Sequence, residues 1–275
     1  MIELRDVLSA SRRAHLGRTM SIDSVARAIK RDAELDPIER TWLHAQLQGV
    51  VDGDLSKIGP IGGIEDAWKG EPCFLVGGSK GLKNAMDAGF RLDMLDGFHS
   101  IGVNHVVEDY HRFEWLLVMD KRFFTISPYD VLNEYEGRLF AHNKAGLPPS
   151  EHVTVFYTQG DGPARHFVDG LYTFVVSGLT AMNLALLSGA NPVYMLGLDN
   201  GGLQDNKGGT HYKAGYTGES VGKGNWRKFK TKIPERMLDY LPWADRFINV
   251  DPMGDITAFK KMDVRDVPEL KEKFA

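Results

Sequence analysis

The feature that most constrains this chain is a series of short apolar runs, several of them hydrophobic on both faces. They are Cys73–Val76, Ser100–Val103, Trp115–Met119, Arg138–Ala141, Val153–Tyr157, Val193–Leu198 and Phe247–Val250. A strand on a half-exposed sheet alternates apolar and polar residues, whereas a strand covered on both sides does not. Helical spacing falls between the runs, at Leu82–Ala88, Tyr129–Glu134, Leu179–Ser188 and Trp226–Tyr240. Strands alternating with helices predict an α/β fold: a doubly wound, mostly parallel open sheet of Rossmann-like type.

Residues 1–60 differ. Ile2, Leu4, Val7 and Leu8 recur at helical intervals, and Ser21 or Asp23 can cap a second helix carrying Val25, Ala28 and Ile29. Gly59-Pro60-Ile61-Gly62-Gly63 reads as a connector. The expected organisation is a small helical N-terminal element over 1–60 and a nucleotide-binding domain over 61–275.

Charge and cysteine content narrow the class. A net charge of −4 argues against bulk electrostatic binding of nucleic acid. The single cysteine, Cys73, excludes a disulfide framework and a cysteine-rich zinc site. No apolar run approaches the roughly 20 residues that span a bilayer. The expectation is a cytoplasmic protein with no membrane span, its oligomeric state left open.

In a doubly wound sheet, ligands bind beyond the carboxyl ends of the strands, at the switch point of the strand order. Four places in the chain fit. Gly77-Gly78-Ser79-Lys80 follows the first strand and opens a helix, where backbone N–H groups can meet a phosphate and Lys80 adds charge. The same glycines could equally serve a tight turn alone. Asn104 ends the second run with an amide suited to a base edge or ribose hydroxyl, although asparagine is also a common turn residue. Asp120 ends the third run and could equally cap a helix. Ser177 and Gly178 open an apolar helix whose first N–H groups lack intrahelical partners, and Asp199 closes the following strand.

A glycine-rich polar stretch over about 200–225 reads as a lid loop. It holds His211, a candidate general base, with Tyr212 and Tyr216 as donors to phosphate oxygens. The remaining histidines are scattered and no paired metal-ligand spacing occurs, so no zinc site is expected.

The run Val176-Ser177-Gly178-Leu179, continuing through Ser188-Gly189-Ala190 to Leu196-Gly197-Leu198-Asp199 and then Thr210-His211-Tyr212, resembles two related groups. One is the bacterial metal-independent sialyltransferases that use CMP-sialic acid. The other is the broader DUF115 group, which includes 6-hydroxymethylpterin pyrophosphokinases, motility accessory factors and phage proteins. The likeness covers roughly residues 72–260. It implies nucleotide binding by Gly77, Asn104, Ser177 and Gly178, and an inverting transfer with a histidine base and tyrosines at the leaving phosphate. Ser79, Lys80 and Gly81 depart from the usual glycine turn, and His211 matches the first histidine of the motif rather than the catalytic one.

Three readings follow. The leading one is a sialyltransferase-like glycosyltransferase that takes a nucleotide-sugar donor and a hydroxyl acceptor and requires no cofactor. In it His211 is the base and Tyr212, Tyr216 or Lys213 steadies the phosphate. The second is pyrophosphokinase-like transfer from ATP with Mg²⁺ near Asp199 or Asp120. The third is a nucleotide-binding or phage-type accessory protein without catalysis.

Overall fold

The computed structural model describes residues 63–119, 123, 135–142, 152–156, 158–159, 162–167, 170–172, 177–198, 235–252, 254 and 256–274. The helical element expected over 1–60, the helix expected over Tyr129–Glu134 and the loop over 200–225 lie outside them.

The seven apolar runs all form strands. They are β1 (Cys73–Val76), β2 (His99–Val103), β3 (Trp115–Val118), β4 (Arg138–His142), β5 (Val153–Phe156), β8 (Val193–Leu196) and β9 (Phe247–Asn249). With the two-residue β10 (Lys260–Lys261) they make one parallel sheet in the order β10-β9-β8-β1-β2-β3-β4-β5. A second, two-stranded parallel pair joins β6 (Thr158–Gln159) to β7 (Leu171–Tyr172). The chain winds outward from β1 to β5, returns across the sheet, and continues outward on the other side of β1. The fold is therefore the doubly wound α/β sheet, and its switch point lies between β1 and β8.

Because side chains alternate, each strand feeds two cores. Cys73, Leu75, Ile101, Leu117, Val193 and Met195 point to the face covered by α2 (Ser177–Leu187). Phe74, Val76, Leu116, Val118, Tyr194 and Leu196 point to the face covered by α1 (Lys80–Asp87), whose Leu82 and Ala85 are buried there. At the β10 edge Lys260 and Lys261 are exposed, and charge of this kind discourages a further strand from adding.

Several bounds differ from expectation for identifiable reasons. The strand expected to reach Leu198 stops at Leu196, because Gly197 turns to φ +63°. The helix expected over Trp226–Tyr240 falls within the described residues only from 235. From Leu238 to Arg246 it is 3₁₀, with non-helical backbone at Trp243, just after Pro242. The strands β6, β7 and β10, two residues each, were not expected.

Helix α2 is held along its whole length. At its C-terminal end the carbonyls of Leu187, Ser188 and Gly189 accept the N–H groups of Asp66 (2.9 Å), Trp68 (2.7 Å) and Gly70 (3.0 Å). Arg246 donates to the carbonyls of Ala190 (2.6 Å) and Leu186 (3.4 Å), placing a cation where the helix dipole is negative. In its middle, the fully buried Asn183 accepts from the N–H groups of Tyr172 (2.7 Å) and Ala164 (3.1 Å) and donates to the Ala164 carbonyl (3.1 Å). Near its start, the Tyr240 hydroxyl donates to the Leu179 carbonyl at 2.5 Å.

Two outcomes follow. Asn183→Leu leaves two buried N–H groups and a carbonyl unpaired, so urea unfolding should show a loss of about 3 kcal/mol. Burial, and the hydrogen bond that its hydroxyl donates to Asp239, push Tyr172 up to about 12. The folded state keeps this hydroxyl neutral while the unfolded chain ionises from about pH 10. Its contribution is thus complete below that pH and is lost as pH rises toward the folded value. Unfolding titrations between pH 9 and 12 should show a shallower decline for Tyr172→Phe than for the parent.

Candidate functional site

The carboxyl ends of β1 and β8 leave the sheet in direct contact. The Gly77 N–H donates to the Leu196 carbonyl at 2.8 Å and the Ser79 N–H to the Gly197 carbonyl at 3.0 Å. A Cβ on Gly77 would lie 2.5 Å from the Gly197 oxygen, and one on Gly197 would lie 2.3 Å from the Gly77 oxygen. Neither position accepts a side chain without moving backbone. Ser79 caps α1, its Oγ accepting the Gly81 N–H at 3.4 Å. The expected phosphate cradle therefore has much of its donor set engaged inside the protein: the N–H groups of Gly77, Ser79 and Gly81 all have partners. What the glycine at 77 serves, on this geometry, is the contact between two strand ends. Gly78 and Ser79 are half-buried and Lys80 is exposed.

One strand away, β2 ends at Val103, and Asn104 follows at φ +53° and starts a 3₁₀ helix over Asn104–Glu108. Asparagine is among the few residues that tolerate this conformation. Its Nδ2 donates to Ser177 Oγ at 3.0 Å, and its Oδ1 accepts the Met119 N–H at 3.2 Å. A single half-buried amide thus joins the ends of β2 and β3 to the first residue of α2. Gly178 follows, where a Cβ would be 3.3 Å from the Leu198 side chain; the same Leu198 methyl lies 2.6 Å from the position a Gly77 Cβ would take. Gly77, Gly178 and Leu198 are in this way mutual neighbours, and Asn104 is hydrogen-bonded to Ser177 beside them.

The structure brings Gly77, Asn104, Ser177 and Gly178, drawn from three parts of the chain, to the rim of the sheet on either side of β1. Asp199 is the residue after Leu198, but it lies outside the described residues, as do Asp120, His211, Tyr212 and Tyr216. Among the described residues, no group of three or more His, Cys, Asp or Glu could hold a metal ion. No helix among them is long and apolar enough to cross a membrane.

Residues not singled out from sequence also belong to this rim. Gly197 sat in view within Leu196-Gly197-Leu198, yet its positive φ depends on how β8 meets β1. His105, buried beside Asn104, has its Nδ1 2.7 Å from Glu108 Oε1 and its ring against Phe123. At the end of β9 the buried Asp251 accepts from Asn84 Nδ2 of α1 at 3.4 Å.

The opposite, amino ends of the strands are closed differently. Glu114 takes the Trp68 indole N–H at 2.9 Å and sits 2.6 Å from His99 Nδ1, while the Trp68 ring lies against His99 and Trp115. Burial, and to a lesser degree Glu114, raise the Cys73 thiol well above its ordinary value and keep it protonated.

Comparison with protein-family models, curated proteins and solved structures finds no match for this chain.

The contact at the switch point carries a testable cost. Gly197→Ala combines left-handed backbone with a backbone clash and should lose about 3–4 kcal/mol in chemical unfolding. Gly97, at φ +86° with nothing within 4 Å of a Cβ, serves as the control. Its replacement by alanine should lose only about 1–2 kcal/mol.

Proposed function

We propose that this chain is a nucleotide-binding transferase, sialyltransferase-like in type, that moves a sugar from a nucleotide-activated donor to a hydroxyl acceptor. The observation that carries the reading is the bond from Asn104 to Ser177, one strand away from the switch point of a doubly wound parallel sheet. Polar groups from distant segments meet there, at the place where such sheets bind their ligands. The order of sequence features around Ser177-Gly178 and Leu196-Gly197-Leu198-Asp199 adds the likeness to nucleotide-sugar enzymes.

In the proposed reaction the acceptor oxygen attacks the anomeric carbon as the bond from that carbon to the phosphate oxygen breaks. His211 takes the acceptor proton, and Tyr212 or Tyr216 donates to the departing phosphate. Ser177 and Gly178 hold the nucleotide portion, and the rigid setting of α2 keeps them in place during the displacement.

Thermal melting with CMP, UDP, GDP, ATP and their sugar conjugates tests the binding. A ligand at about a hundred times its Kd should raise the midpoint by roughly 5 °C or more. If none of them moves it, the nucleotide reading is wrong. For the chemistry, His211→Ala should lower donor turnover by about 10²-fold or more while leaving the nucleotide-induced shift in place. Unchanged turnover would remove His211 from the mechanism.

A further inference from the structure

We propose that Asn104 is a positioning residue, acting on the bound nucleotide through Ser177 and not by touching the ligand. The assignment rests on the nucleotide reading above.

A side-chain amide is planar, with an acceptor at one end and donors at the other. At Asn104 both ends are fixed by groups far away in sequence. Met119 N–H can only donate, so Oδ1 must face it, and Nδ2 is then directed at Ser177 Oγ. A flip would set two donors against each other at Met119. The orientation is decided by the chain itself, and turning the amide toward a ligand would break both bonds.

The consequence falls on Ser177. A hydroxyl carries one donor and two lone pairs. One lone pair receives the Asn104 N–H, so the hydroxyl hydrogen points away from Asn104. A ligand group that meets this hydrogen must be an acceptor, such as a phosphate, carbonyl or ring-nitrogen atom. Asn104 thereby selects the direction and polarity of the serine contact. In this proposal the role of Asn104 is indirect, where the sequence suggests a direct contact to a base or ribose.

Backbone conformation makes the arrangement specific to asparagine. Among the described residues, Asn104 and Asp66 are the non-glycine positions with positive φ. Aspartate tolerates the same backbone and can still accept from Met119, but it cannot donate to Ser177; the serine hydroxyl would turn round to donate to the new carboxylate. Glycine keeps the backbone and removes the amide entirely.

The test is a double-mutant cycle in the full chain. Its probe is whichever of CMP, UDP, GDP or ATP stabilises the unaltered protein most, with affinity measured by calorimetric titration. Asn104→Gly and Ser177→Ala should each weaken binding about 10-fold, roughly 1.4 kcal/mol. The double variant should bind within about 2-fold of either single one, since both remove the same contact. Asn104→Asp should also lose affinity while its unliganded melting temperature stays near that of the parent, and it replaces Asn104→Gly in the cycle if the latter does not fold. Losses that multiply to about 100-fold overturn the assignment, because Asn104 would then touch the ligand itself. A lowered melting temperature with unchanged affinity also overturns it, leaving only a structural part for Asn104. If none of the four nucleotides binds the unaltered protein, the nucleotide reading fails and this assignment with it; multiplying losses overturn the assignment alone.

Discussion

The close approach of Gly77 to Gly197 is the constraint on which the rest of this molecule depends. A sheet wound both ways from a central strand has one place where two adjacent strands lead their chains to opposite faces. Here the switch point lies between β1 and β8, and their backbones touch at their carboxyl ends. Leu198, one residue beyond this contact, lies against the positions that a Cβ on Gly77 or on Gly178 would take, so the contact and the start of α2 are neighbours. A Cβ at either glycine would meet the other strand end's carbonyl oxygen at 2.5 or 2.3 Å, so the two ends would have to move apart.

Helix α2 transmits that precision to the rim. Apolar packing alone would leave a mostly hydrophobic helix free to slide or rotate against the sheet, since such contacts have little direction. Directional bonds remove that freedom: Asn183 clasps the backbone of Ala164 and Tyr172, Tyr240 meets the Leu179 carbonyl, and residues 66–70 with Arg246 close the C-terminal end. Burying so polar a residue as Asn183 is tolerable only because its carbonyl oxygen accepts two N–H groups and its amide nitrogen donates to Ala164. What results is an N-terminal turn with a defined location, where Asn104 adds the last constraint.

The sheet was legible in the sequence because parallel strands buried on both faces have few ways to be written. Seven runs of apolar residues all became strands, within two residues at every bound that is described. What escaped depends on contacts between distant segments. Strands β6, β7 and β10 are too short for any periodicity, and Gly197 looks like strand interior until its neighbour is known. Asn183 lies inside a run that reads as core, and nothing local marks it as the clasp of two backbone segments. At Gly77 the sequence suggests phosphate approach or a tight turn, while the close approach of Gly197 depends on a segment 120 residues away that nothing local announces. Asn104 is the same case: its type pointed to hydrogen bonding, while its partners at Met119 and Ser177 lie 15 and 73 residues onward.

The two ends of the sheet divide the work of the molecule. At the amino ends, Trp68 stacks on His99 and tilts against Trp115, while Glu114 accepts the Trp68 indole N–H and sits beside His99 Nδ1, an arrangement that holds the strands together. At the carboxyl ends, polar groups stand at half-buried positions, one non-glycine residue is held at positive φ, and the hydroxyl of a helix's first residue accepts a hydrogen bond from it. Left-handed conformation at a residue other than glycine costs about 1–2 kcal/mol and persists only where surrounding bonds determine it. Such a cost is not needed to join β2 to the 3₁₀ helix after it, since a glycine would make the same turn without it. What glycine cannot supply is the amide that fixes Ser177, and the backbone cost at Asn104 is therefore tied to the orientation of that hydroxyl.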